Sequence, residues 1–84
     1  MKLYRKNKKD FERVDNYADI KVGNIIKVYS EKSDKFINKI PYFVSSIVGD
    51  DIVLDSEIKK LNFNISTETL SLKWLVNRVY EMAK

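Results

Sequence analysis

Four carboxylates fall within Asp50 to Glu57: Asp50, Asp51, Asp55 and Glu57. Paired carboxylates hold Mg²⁺ or divide acid and base roles in glycoside hydrolysis, provided that they converge in a cleft. Here Gly49-Asp50-Asp51 is also a turn signal, because an Asp side chain bonds the backbone close to it. Turn chemistry and solubility explain the cluster more simply than catalysis does. Ser45 and Ser46 lie in a strand-like run with no evident base, and abundant lysine does not by itself make a Ser/Lys pair.

Two absences narrow the chemistry further. Without Cys there is no thiol nucleophile, disulfide or thiolate zinc site, and without His there is no Ser-His-Asp relay or imidazole ligand. With Gly23 and Gly49 as the two glycines, neither a P-loop nor a dinucleotide fingerprint can be written. The expectation is a protein that is not an enzyme and uses no cofactor and no metal.

Binding chemistry remains. The formal net charge is +4, and it is uneven: residues 1–24 carry seven Lys and Arg against four Asp and Glu, whereas residues 25–65 carry six against six. The first nine residues, MKLYRKNKK, hold five basic side chains around Tyr4 and read as a basic N-terminal arm. Such an arm could neutralise phosphates while its aromatic ring stacks on a base, with Lys2, Arg5, Lys6, Lys8, Lys9 and Arg13 as the cations. A solvated terminal segment, or an edge strand guarded by lysines, has the same composition. Contacts to a protein partner are expected from aromatic and guanidinium side chains: Tyr4, Arg5, Tyr29, Tyr42, Trp74 and Arg78. For Trp74 the competing role is to plug the end of a small core.

The elements that must position these residues fit one domain of 84 residues. A total of 44% hydrophobic residues, with five Tyr, four Phe and one Trp, belongs to a folded chain. No stretch reaches the roughly 20 apolar residues of a membrane span, so the expected location is cytoplasmic, with no membrane partner. Tyr42 to Leu54 reads as two antiparallel strands about a tight turn. With a two-residue loop, Phe43, Ile47, Ile52 and Leu54 share a face; a three-residue loop exchanges Ile52 for Val53. Ile25 to Tyr29 is a strand by β-branched content, and Pro41 either interrupts or bulges the apolar run begun at Phe36.

Leu61, Phe63 and Ile65 alternate with polar residues as in a half-buried strand. Phe11, Val14, Tyr17 and Ala18 recur at helical intervals and predict a short helix or irregular turn. After Ser66 or Thr67 as a cap, two readings stand: one helix to Lys84, or a turn at 67–72 followed by a strand at 73–80.

Val22, Gly23, Ile26 and Val28, the hairpin from Gly49 to Leu54, and Ser66, Glu68, Thr69, Leu70 and Trp74 together resemble small SH3-like barrel proteins of bacteriophages and mobile elements. The resemblance covers about Val22 to Trp74 and departs at the basic arm and after Trp74. It implies an α+β, mostly β fold: a partly open antiparallel barrel of four to five strands, with a short N-terminal helix or turn and a C-terminal helical segment. It also implies a binding module, an accessory or inhibitor protein of anti-CRISPR style that docks on a host protein or protein–RNA complex. Direct binding of nucleic acid is the alternative.

Overall fold

The computed structural model describes residues 1–37 and 39–74. They form eight strands: β1 (Lys2–Asn7), β2 (Asp10–Arg13), β3 (Ile25–Ser30), β4 (Lys35–Phe36), β5 (Tyr42–Val48), β6 (Asp51–Asp55), β7 (Lys59–Asn64) and β8 (Thr69–Trp74). Every pairing is antiparallel, and the order is β2-β1-β3-β5-β6-β7-β8, with β4 beside β3. Among the described residues the sheet runs from edge strand β2 to edge strand β8 without closing, so it is mostly β but not a closed barrel. Its strand count also exceeds the expected four to five.

The sheet bends where β3 changes partners. β1 lies along one edge of β3, through Lys2↔Tyr29 to Arg5↔Ile26. The opposite edge is divided: β4 takes Tyr29 and Ser30, and β5 takes only Ile25 and Ile26. Two ladder pairs join the N-terminal half (β1 to β4) to the meander of β5 to β8 in a short seam, and both halves contribute to one core. Gly23 eases the approach to the seam with φ +95°, a conformation that costs glycine little, and its N–H donates to the Val44 carbonyl at 2.8 Å.

Between the halves lies one core: Leu3, Val14, Ile20, Ile26, Val28, Tyr42, Val44, Ile52, Leu54, Leu61 and Phe63. Each aliphatic or Phe side chain buried there contributes about 1.5–3 kcal/mol by leaving water. Alternation supplies them, since Leu3 on β1 faces Val28 on β3, and Ile52 and Leu54 on β6 face Phe63 and Leu61 on β7. The β5–β6 connection is the two-residue loop Gly49-Asp50, with Gly49 at φ +58° in the first loop position, where such hairpins call for glycine.

Several expectations change against this frame. The register of β5 shifts at Ser45, so Val44 faces Leu54 while Ile47 faces Ile52. An extra residue there reverses the alternation, which turns Tyr42 and Val44 inward and leaves Phe43 44% exposed. The residues read as an N-terminal arm form β1, an interior strand, and its Lys8-Lys9 turn. Where a short N-terminal helix or irregular turn was expected, the chain forms a strand, β2, and then one 3-10 turn at Tyr17–Asp19, capped by the Asn16 side chain on the Ala18 N–H.

Ser66 and Thr67 do not cap a helix. They fold back so that the Asn64 side-chain oxygen accepts from Ser66 Oγ (2.7 Å) and the Thr67 N–H (3.0 Å). Glu68 takes φ +52° and the chain returns as β8. Thr69 to Trp74 is therefore a strand, against a single helix throughout and against a turn at 69–72, while Lys73 and Trp74 lie on a strand as the turn-and-strand reading had them. What either reading expected of 75–84 lies outside the described residues. Among the described residues no helix is long and apolar enough to cross a membrane.

Candidate functional site

The outward positions of the N-terminal half follow from its register. Because Leu3, Ile26 and Val28 point into the core, their neighbours Lys2, Tyr4 and Lys6 on β1 and Ile25, Lys27 and Tyr29 on β3 point out. Phe11 pairs with Lys6, Arg13 with Tyr4, Phe36 with Tyr29, and Phe43 of β5 with Ile25, so these four share the same face. At the strand positions of this face on β1 to β4 there are four cations and four aromatic rings, and no Asp or Glu. Phe43 adds a fifth ring at the seam.

The rings are in contact. Tyr4 meets Phe36 edge-on at 5.2 Å between centroids, and Tyr29 meets Phe36 at 5.5 Å. Lys27 Nζ lies 4.7 Å from the centre of Phe11 and 5.4 Å from that of Phe36, within cation–π range of both. Each such contact contributes about 0.5–1 kcal/mol at an exposed site, enough to hold the ammonium group in place but not to neutralise it. Two cations have loose acidic neighbours at the rim: Lys2 Nζ lies 4.0 Å from Glu31 and Arg13 Nε 3.5 Å from Asp15. Exposed pairs of this kind contribute little and exchange readily for another anion. The Tyr29 hydroxyl donates to the Asp34 carboxylate, which fixes the ring and raises the phenol pKa above its ordinary value, with slight further contributions from burial and the Asp34 charge.

Of the residues expected to meet phosphate, Lys2, Lys6 and Arg13 fall on this face, and Lys8 and Lys9 form the exposed β1–β2 turn beside it. Arg5 does not. It points to the opposite side, where its guanidinium donates to the Asp19 carbonyl at 2.9 Å and lies 3.6 Å from Glu12, so it tethers the 3-10 turn to β1. Of the residues expected to meet a protein partner, Tyr4 and Tyr29 are on the basic face, while Tyr42 is 1% exposed and belongs to the core. Trp74 ends β8 opposite Lys59 in the backbone ladder, and Arg78 lies outside the described residues.

No family model, curated protein or solved structure matches the chain.

Sequence reasoning passed over Lys27, Phe11 and Phe36. Their signal was the alternation of Ile26, Val28 and Ser30 with Ile25, Lys27 and Tyr29, which places Lys27 and Tyr29 together opposite a buried row. The acidic cluster does not form a site. Asp50 is in the hairpin turn, Asp51 accepts from the Asn64 amide at 2.8 Å, and Asp55 is at the far end of β6, about 13 Å along the strand. Among the described residues no three His, Cys, Asp or Glu side chains gather to hold a metal.

Away from the basic face, a hollow of about 270 Å³ opens between the β6–β7 turn and the start of β5, lined by Ile37, Ile40, Tyr42 and Ile58 with Lys39, Glu57 and Lys59. The Tyr42 hydroxyl is buried beside it without a hydrogen-bond partner among the described residues.

Proposed function

We propose that the chain is a binding module without catalytic chemistry that holds nucleic acid on the outer face of β2, β1, β3 and β4. The observation that carries this reading is the composition of that face: Lys2, Lys6, Lys27 and Arg13 interleaved with Phe11, Tyr4, Tyr29 and Phe36, and no acidic residue at a strand position. Cations displace the counterions of phosphates, and rings offer surfaces to bases; either alone is common on a protein surface, and their interleaving on one face is the arrangement that binding requires. The sheet face thus takes the role that sequence assigned to an arm.

Titration of labelled DNA and RNA oligonucleotides over a range of salt tests this. Four neutralised phosphates give a slope of log affinity on log salt of about −3. A flat dependence, or no binding at low salt, would overturn the reading.

A second reading keeps the docking of an SH3-like accessory or inhibitor protein of a mobile element on a host protein or protein–RNA complex. The apolar hollow and Leu72, 53% exposed on β8, support it, because they offer apolar surface away from the basic face. Affinity capture from bacterial lysate with and without nuclease separates the two: a partner that survives nuclease treatment favours docking on protein.

A further inference from the structure

The most exposed rings of the outer face are Phe36 (40%) and Phe43 (44%), and their spacing bears on which form of nucleic acid fits. Both flank the same edge of β3, Phe36 opposite Tyr29 and Phe43 opposite Ile25, four residues apart. At the rise of a strand that separation is about 13 Å. Lys27 is midway between those two positions of β3 and points outward with them. The order along the strand is therefore ring, ammonium, ring.

Stacked bases in a duplex are about 3.4 Å apart and cover one another's faces, so a duplex has no free base surface to give to either ring. A single strand with its bases splayed does. Phe36 is also set firmly: its plane stands 76° from Tyr4 and 79° from Tyr29, so two edge contacts fix the ring. A ring already fixed loses little freedom when a base stacks on it.

We infer that the nucleic acid held on this face is single stranded, with one base on Phe36, another on Phe43, and the phosphates between them at Lys27. This inference rests on the proposed function and narrows it. The rings read base planes, which every nucleotide has, so the site tolerates DNA and RNA and shows little preference for sequence.

The test uses oligo-dT and oligo-rU of about fifteen nucleotides, long enough to fill a site of this class, and a duplex of the same length, all at low salt. The protein binds both single strands at least about tenfold more tightly than the duplex, as expected where stacking adds to a shared charge term. Phe36→Leu and Phe43→Leu each weaken single-strand binding about fivefold or more, leave duplex binding unchanged, and leave the salt slope unchanged, because no charge is removed. Lys27→Gln weakens single-strand and duplex binding alike and lowers the single-strand slope by about 0.7, because it removes a charge and no ring.

Equal affinity for duplex and single strand, which needs no variant to measure, would overturn the inference and leave the phosphate reading standing. So would folded Leu variants, checked by thermal melting, that bind single strands like the parent. No binding to any of the three probes would overturn both.

Discussion

The two halves of this sheet have similar inner faces and different outer ones. Leu3, Ile26 and Val28 look into the core from the N-terminal half, and Ile52, Leu54, Leu61 and Phe63 look into it from the meander. Outward, β1 to β3 present Lys2, Lys6, Lys27 and Arg13 with no acid at a strand position, whereas β6 to β8 present Asp51 and Asp55 against Lys60 and Lys73, a balance of two and two. The neutral remainder also differs: Asn62, Asn64, Thr69 and Ser71 on the meander, aromatic rings on the other half. Folding requires the apolar inner rows and is indifferent to which half carries rings and lysines outside. The asymmetry is therefore surplus to what the fold needs, and it is the feature on which the proposed binding role rests.

Breaking the shared core should remove both halves at once. Phe63 is fully buried and meets the Tyr17 ring edge-on at 5.2 Å, so it joins the meander to the 3-10 turn of the other half. Phe63→Ala costs about 3–5 kcal/mol, in urea denaturation a loss of most or all of a small domain's stability. Nucleic-acid binding should disappear with it. Persistence of binding in the unfolded meander would mean that the halves are independent.

Gly49→Ala perturbs the meander alone. An added Cβ meets nothing within 4 Å, so the cost is the φ of +58°, about 1 kcal/mol. Its denaturation midpoint should fall while affinity for oligonucleotides, measured under folding conditions, stays unchanged. Tyr42→Phe removes a buried hydroxyl that has no partner among the described residues, and stability should hold or rise by up to about 1 kcal/mol. A marked loss in thermal melting would indicate that the hydroxyl is satisfied after all.

The smallest effect is alkaline. Tyr17 has its phenol pKa raised above the ordinary value, first by burial and then by the Glu68 charge, and Tyr29 has its own raised first by its hydrogen bond to Asp34. Between the unfolded and folded values the native protein holds more protons than the unfolded chain, so stability falls as pH rises. The contribution is complete below about pH 10 and lost above it. Denaturation midpoints across that range should decline less in Tyr17→Phe than in the parent.

How far the sequence announced this arrangement depended on which force set each residue. Leu61 and Phe63 alternate with polar neighbours because one face of β7 is buried, and that period was readable; so was the turn at Gly49. Phe43 was misplaced because the shift at Ser45 sits beside the end of β5 that pairs with β6 and β3 at once, Phe43 facing both Asp55 and Ile25, a tertiary demand with no local signature. The first four residues of β8 were missed although Thr69-Leu70-Ser71-Leu72-Lys73-Trp74 alternates, because Ser66, Thr67 and Glu68 mimic a helix start. β1 looked like an arm because only Leu3 marks its buried side, Arg5 being inward yet charged. Half of the candidate site was thus legible as composition, and its assembly on a single face was not.

The most direct test is the salt dependence of single-strand binding in three proteins: the parent, a variant with Lys2, Lys6, Arg13 and Lys27 all changed to Gln, and a control with Lys60 and Lys73 changed to Gln. The parent should show a slope of about −2 to −3, the control the same slope, and the four-site variant almost none. Equal losses in the control and the four-site variant, or a four-site variant that binds as the parent does, would contradict a division of labour between the two outer faces.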